Sequence, residues 1–251
     1  MRILLTNDDG IHAEGLVVLE AIAAQLSDDV WICAPETEQS GASRALTLAD
    51  PVRVRRLDDR RFAATGTPTD CVLLGLTELV EGARPDLVLS GVNRGANMAE
   101  DVTMSGTVAG AIEAMALGVP GIALSQMMTY DGTPPSYAVA EAHGAAVISR
   151  LLEIRWPAEV VMNVNFPRTA PASPQVEVTR QGFRDAHIRT AEKRTDLRGR
   201  DYYWMGFRNQ ASRPAAGTDL AALYEGRISV TPLHIDLTHE ASLGTLRAAF
   251  K

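Results

Sequence analysis

Five short apolar runs, interleaved with helical patterns, constrain this chain more than any other feature of it. Residues 2–6, 29–34, 86–90, 121–125 and 159–165 read as strands, and 15–26, 69–82, 106–117 and 137–154 read as helices. Runs such as Asp86-Leu87-Val88-Leu89-Ser90 and Gly121-Ile122-Ala123-Leu124-Ser125 lack the alternation of a strand wetted on one side. Strands covered on both faces have this pattern. The expected fold class is therefore α/β: a three-layer αβα sandwich around a mostly parallel, doubly wound, Rossmann-like sheet. At 251 residues the chain is long enough for one such domain with ample core.

Two stretches depart from that plan. Val52-Arg53-Val54-Arg55-Arg56-Leu57 alternates, Asp58-Asp59 supplies a turn and Arg61-Phe62-Ala63-Ala64 returns, which predicts a β-hairpin at one edge. Beyond Pro167 the chain turns polar and Arg-rich. Residues 1–167 are thus read as the core and 168–251 as a C-terminal elaboration of the same domain. Within the elaboration, Tyr202-Tyr203-Trp204-Met205-Gly206-Phe207 gathers four aromatics, either as ordinary core or as an exposed hairpin awaiting a partner subunit. Residues 228–233 read as a further strand and 239–250 as a short helix.

Bulk properties remove several functions. A net charge of −7 disfavours sequence-independent binding to nucleic acid polymers, which needs a basic surface. No apolar stretch approaches the roughly 18–20 residues of a membrane span. The first residues do not form a signal peptide. Cys33 and Cys71 lie in apolar contexts and read as reduced core residues, so the expected location is the cytoplasm.

In doubly wound sheets ligands bind where strands end and helices begin. The first strand runs into Asn7-Asp8-Asp9-Gly10. Adjacent carboxylates there repel each other and lose hydration, so one or both titrate high unless a cation joins them. With oxygen donors the cation would be hard: Mg²⁺, Mn²⁺ or Ca²⁺. The plainer reading makes one of them a helix cap before a glycine turn. Ser40, in the loop after the second strand, offers a hydroxyl to a metal or phosphate, or merely shapes a turn. In Ser90-Gly91-Val92-Asn93-Arg94-Gly95-Ala96-Asn97, Asn93 suits a metal ligand that adds no charge, and the Asn97 amide suits a phosphate or base. Ser105-Gly106-Thr107 opens a helix of small residues, either an anion site or a simple N-cap. Gly66-Thr67-Pro68-Thr69-Asp70 reads as a capping box.

Taken together and in order, Asn7-Asp8-Asp9-Gly10, the loop to Ser40-Gly41, Gly66-Thr67-Pro68-Thr69-Asp70-Cys71-Val72, Ser90 to Asn97, Ser105-Gly106-Thr107-Val108, Asn163-Val164-Asn165-Phe166-Pro167 and Ser229-Val230-Thr231-Pro232-Leu233 resemble the SurE (survival protein E) nucleotidases. The resemblance spans nearly the whole chain. It implies a metal-dependent phosphomonoesterase acting on nucleoside 5′- and 3′-monophosphates, and in some members on short polyphosphate. One divalent ion per subunit, Mg²⁺ or Mn²⁺, is implied, on the positions of Asp8, Asp9, Ser40 and Asn93. The implied phosphate site falls on Asn97, Ser105, Gly106 and Thr107, and catalytic roles on Asp8, Asp9, Asn97 and Ser105. It also implies a homodimer or homotetramer that exchanges C-terminal segments. Met104 departs from the pattern, where a tyrosine is expected before Ser-Gly-Thr.

Two chemistries remain open on these residues. Asp9 can act as base to an attacking water, or Asp8 can attack phosphorus to form an aspartyl phosphate. Of the histidines, His12 is nearest the acidic pair; His143 falls in a helical pattern, and His187, His234 and His239 lie in the C-terminal part. The rival class is a nucleotide-binding, stress-regulatory protein without turnover, which would use the anion site but not the paired carboxylates.

Overall fold

In the computed structural model, which describes residues 1–128, 134–184, 189–207 and 212–250, the chain alternates strands and helices as the apolar runs require. The order is β1 (Arg2–Thr6), α1 (Glu14–Ala24), β2 (Asp29–Pro35), β3 (Val54–Asp58), β4 (Arg61–Ala64), α2 (Pro68–Leu74), β5 (Leu87–Arg94), α3 (Gly106–Ala116), β6 (Gly121–Gln126), α4 (Ala138–Ile154), β7 (Val161–Phe166), β8 (Val176–Val178), β9 (Arg189–Thr195), β10 (Asp201–Phe207), α5 (Asp219–Tyr224), β11 (Ile228–Leu233) and α6 (Glu240–Ala249). His187 lies outside the described residues.

Successive residues of the central strands face opposite helical layers, and both layers are dry. In β1, Ile3 and Leu5 join the cluster built with Leu16, Leu19 and Ile22 of α1 and Ile148 of α4. Leu4 joins Cys71 and Val72 of α2 and Ala114 of α3 on the other side. β5 divides in the same way, with Leu87 and Leu89 on the first face and Val88 on the second. Each fully buried Ile or Leu of this kind contributes about 1.5–3 kcal/mol, which is why the runs are apolar throughout rather than alternating. The expected three-layer architecture is present.

The main sheet has nine strands in the order β3-β4-β2-β1-β5-β6-β7-β11-β8. Strands β2, β1, β5, β6 and β7 are parallel, and β4 adds parallel to β2. The predicted hairpin is β3–β4, antiparallel, at the edge. Winding proceeds outward from β1 in one direction through β2 and in the other through β5, so the switch point lies between β1 and β5. A crevice opens there at the carboxyl ends of the strands. Helix α3 packs tightly against this centre: a Cβ at Gly110 would stand 2.9 Å from Ser90 Oγ and 3.0 Å from Thr6 Cγ2.

Two element boundaries differ from expectation. The helix predicted over 69–82 ends at Leu74 and continues as a widened π turn, Gly75–Leu79, where Thr77 Oγ1 donates back to Leu73 O at 2.9 Å. The strand predicted over 86–90 runs on to Arg94. A register shift between Ser90 and Asn93 lets Asn93 and Arg94 pair with Ser125 and Gln126 of β6.

In the C-terminal part, β11 adds antiparallel to β7 and β8 parallel to β11, so both belong to the main sheet. Among the described residues β9 and β10 pair only with each other, as a separate antiparallel hairpin. Tyr202, Tyr203, Trp204 and Met205 are exposed on it. Of the two readings of this aromatic segment, the exposed hairpin is the observed one. Helix α6 buries no residue. Cys33 and Cys71 are both free and buried. No helix among the described residues is long and apolar enough to cross a membrane.

Candidate metal and phosphate site

Asp8 and Asp9 leave the end of β1 at the switch point and meet three other segments. Asp8 is buried, and Thr107 Oγ1 donates to its Oδ1 at 2.6 Å across 99 residues of sequence. Asp9 Oδ2 accepts the Arg94 backbone N–H at 3.0 Å, which fixes the end of β5 beside it. From the loop after β2, Gln39 N donates to Asp8 O at 2.7 Å. The same loop reaches the turn before α3, where Ser43 N donates to Met104 O (3.1 Å) and Ser43 Oγ to Thr103 O (2.8 Å). The turn itself is closed by Asn7, whose Nδ2 donates to Gly10 O at 2.9 Å.

The approach of α3 to Asp8 depends on a missing side chain. A Cβ at Gly106 would stand 2.8 Å from Asp8 Cβ and 3.0 Å from Asp8 Oδ2. Only glycine lets the first turn of α3, with its unbonded amides and positive dipole end, come down on this carboxylate. Ser105 caps the helix, its Oγ accepting from Val108 N at 3.0 Å. Thr107, expected among the phosphate groups, has its hydroxyl committed to Asp8; its backbone amide is the part it can offer an anion.

Burial drives the electrostatics. Asp8 is pushed up from 3.8 to about 6, chiefly by desolvation; the Thr107 hydroxyl opposes this and the Asp9 charge adds to it. Asp9 is also raised, by burial first and then by Glu38, while the amide and charge of Arg94 lower it. Tyr137, which precedes α4, is shifted upward by burial and by the charge of Asp9. Among the described residues neither carboxylate of the pair has an ion-pair partner.

The other expected donors lie on the segments bonded to this pair. Asn93 Nδ2 donates to Gly95 O at 2.8 Å, which leaves its Oδ1 as the atom for a cation. Ser40 follows Gln39, the residue bonded to Asp8, but its exposed hydroxyl donates to Glu38 Oε1 at 2.9 Å. Asn93 and Ser40 are thus each tied to the acidic pair through a neighbour's backbone, Asn93 through Arg94 N on Asp9 and Ser40 through Gln39 N on Asp8. The donor set is all oxygen, and no group of three His, Cys, Asp or Glu stands in metal-holding geometry among the described residues. Two carboxylates raised by burial, Asp8 with no cationic neighbour among the described residues and Asp9 only partly offset by Arg94, fit a hard divalent ion and not a thiolate or imidazole metal.

Asn97 is the best-anchored member. Its Nδ2 donates to Ser125 Oγ (2.8 Å) and its N to Asn165 Oδ1 (2.8 Å). Its carbonyl oxygen accepts from Asn163 Nδ2 (2.8 Å) and Asn165 Nδ2 (2.9 Å). Sequence reasoning gave Asn163, Asn165 and Ser125 no such role. A signal was present: two asparagines two apart, in the otherwise apolar run Val161-Met162-Asn163-Val164-Asn165-Phe166, must share one face of a buried strand. His12 shows no contact with the acidic pair.

Comparison with known proteins gives the family of this chain. The family profile described as "Survival protein SurE" matches residues 3–188. The chain is 71% identical over 250 residues to the 5′-nucleotidase SurE of Caulobacter vibrioides (strain NA1000 / CB15N), covering 98% of this chain and 95% of that one. It is 54% identical over 253 residues to the 5′-nucleotidase SurE of Hyphomonas neptunium, with both chains fully covered. The crystal structure of the SurE protein from Aquifex aeolicus superposes with a TM-score of 0.83 at 34% identity, covering 100% of both chains.

Proposed function

This chain belongs to the SurE family and is a 5′-nucleotidase that releases phosphate from nucleoside monophosphates, and on that premise we propose that Asp8, Asp9, Ser40 and Asn93 hold its divalent ion, Mg²⁺ or Mn²⁺. Asn97, Ser105, Gly106 and Thr107 receive the phosphoryl group. The observation that carries this reading is the pairing of a buried, uncompensated carboxylate, Asp8, with the amide end of α3 pressed against it.

When bound, the ion supplies the Lewis acidity that withdraws charge from phosphorus and makes a water nucleophilic. The chain's own groups do the rest. The amides of Gly106 and Thr107 at the start of α3, with the Asn97 side chain, stabilise charge on the nonbridging phosphoryl oxygens. Asp9, less buried than Asp8 and held on one oxygen by Arg94, keeps Oδ1 available to take the proton of the attacking water. The hydroxyl of Thr107 fixes Asp8 in one orientation. That bond favours a positioned ligand over a mobile nucleophile. The hairpin β9–β10 and the uncovered helix α6 serve a homodimer or homotetramer, with C-terminal segments exchanged, in the cytoplasm.

Phosphate release from AMP with Mn²⁺ or Mg²⁺, in wild type and Asp9→Asn, tests the assignment. Loss of at least a hundredfold in kcat with retained fold is expected. Undiminished release by the variant would remove Asp9 from the chemistry, and binding of AMP without turnover by wild type would favour a regulatory binder.

A further inference from the structure

Between Asn97 and Ser105 the chain turns through a short 3₁₀ helix, Ala99–Thr103, and its conformation is held from outside. Ala99 sits at φ +54°, in the left-handed region that a residue with a Cβ adopts at a cost. Its N–H donates to Asp219 Oδ2 at 2.8 Å. The other oxygen, Asp219 Oδ1, accepts from Gly182 N (2.9 Å) and from Leu220 N (2.8 Å). Asp219 is fully buried, and Leu220 and Leu223 of α5 pack on Met98 and Ala99. Two residues on, Arg184 ties Asp101 at 2.7 Å and Glu100 at 3.3 Å.

We infer that Asp219 is a positioning residue: its carboxylate holds Ala99 left-handed and so sets the turn that presents Asn97 on one side and Ser105 on the other. This rests on the phosphate role assigned above to those residues. The same carboxylate joins that turn to Gly182, on the chain leading into β9, and Asp219 itself follows β10. One side chain thus ties the phosphate turn to a residue that precedes the exposed hairpin in sequence, Gly182, and is itself carried by the segment that follows it. Asp8, Asp9 and Asn93 make no hydrogen bond to this connection among the described residues. The Ser40 loop meets the turn only at its far end, where Ser43 bonds Thr103 and Met104, so the ion should sense its loss far less than phosphate does.

Asp219→Asn is the test, because the amide keeps the two-donor acceptor but sets an NH₂ against the Ala99 N–H. In full-length protein, the expected result is a rise of at least fivefold in KM for AMP and in the inhibition constant of inorganic phosphate. Mn²⁺ affinity, measured calorimetrically without substrate, should stay within twofold. Amide exchange of the 98–105 segment should quicken. Adding Ala99→Gly, which adopts φ +54° readily, should restore most of the lost phosphate affinity. A parallel fall in Mn²⁺ affinity, unchanged exchange at 98–105, or no recovery in the double variant overturns the inference. If Asp219→Asn does not fold, Arg184→Gln loosens the same turn from Glu100 and Asp101 and is read by the same measurements and criteria. Exchange reads the clamp itself, so its failure is distinct from a wild type that releases no phosphate from AMP.

Discussion

Asp8→Asn, studied in chelator-treated protein, isolates what the acidic pair costs the fold. The Asp8 carboxyl is 4% exposed and titrates at about 6 instead of 3.8, mainly through burial. An acid raised on folding holds its proton more tightly folded than unfolded. Stability is therefore complete below pH 3.8, declines as pH rises through about 6, and carries the whole penalty above that. At 1.36 kcal/mol per tenfold, the gap between 3.8 and about 6 is worth about 3 kcal/mol. Asparagine cannot ionise, yet its carbonyl can still accept from Thr107. The metal-free variant should thus exceed metal-free wild type at pH 8 by up to about 3 kcal/mol, a rise of roughly 6–12 °C in Tm for a chain of this size. The advantage should fade towards pH 4. Urea or calorimetric unfolding at both pH values, with chelator, measures it. With saturating Mn²⁺ the order should reverse, because only wild type gains the binding energy. Equal stability of the two metal-free proteins at pH 8, or a difference that ignores pH, would refute the reasoning.

Gly106→Ala drives a methyl into Asp8 at 2.8 Å, and kcat/KM for AMP should drop by about a hundredfold or more, on the order of 3 kcal/mol of transition-state stabilisation. Thr107→Val removes a side-chain hydrogen bond to Asp8; Mn²⁺ binding should weaken about fivefold or more at pH 7, near 1 kcal/mol, and more steeply at pH 6, as titration calorimetry would record. Asn165→Ala strips two hydrogen bonds from the Asn97 backbone and should raise KM for AMP while Mn²⁺ affinity holds, which steady-state kinetics beside calorimetry can separate. Trp204→Ala on the exposed hairpin should shift sedimentation towards smaller assemblies.

The layers were legible because burial on both faces writes itself into apolar runs that do not alternate, whereas the strand order that puts the switch point between β1 and β5 came only from the structure. Asp8, Asp9, Asn93 and the Ser105 turn could be named because polar groups at strand ends stand out against such runs. What the sequence concealed is the cross-linking. The Thr107–Asp8 bond joins residues 99 apart and the Ala99–Asp219 bond residues 120 apart. No local pattern marks either partner, since Thr107 reads equally well as a cap or a phosphate group. The extension of β5 to Arg94 was hidden for a similar reason: its pairing resumes only after a register shift set by β6. Exposure of Tyr202–Met205 depends on what the rest of the chain leaves uncovered, and composition alone cannot tell an aromatic core from an aromatic arm.

The antiparallel seat of β11 beside β7 has a practical corollary for anyone trimming this protein. Stopping synthesis near residue 167 would leave β7, with Val161, Val164 and Phe166 all buried in the intact chain, as a bare border of unsatisfied peptide groups. Such a border recruits other chains. The shortened product should therefore precipitate rather than survive as a minimal catalyst, even though every residue assigned here to ion and phosphate would still be present.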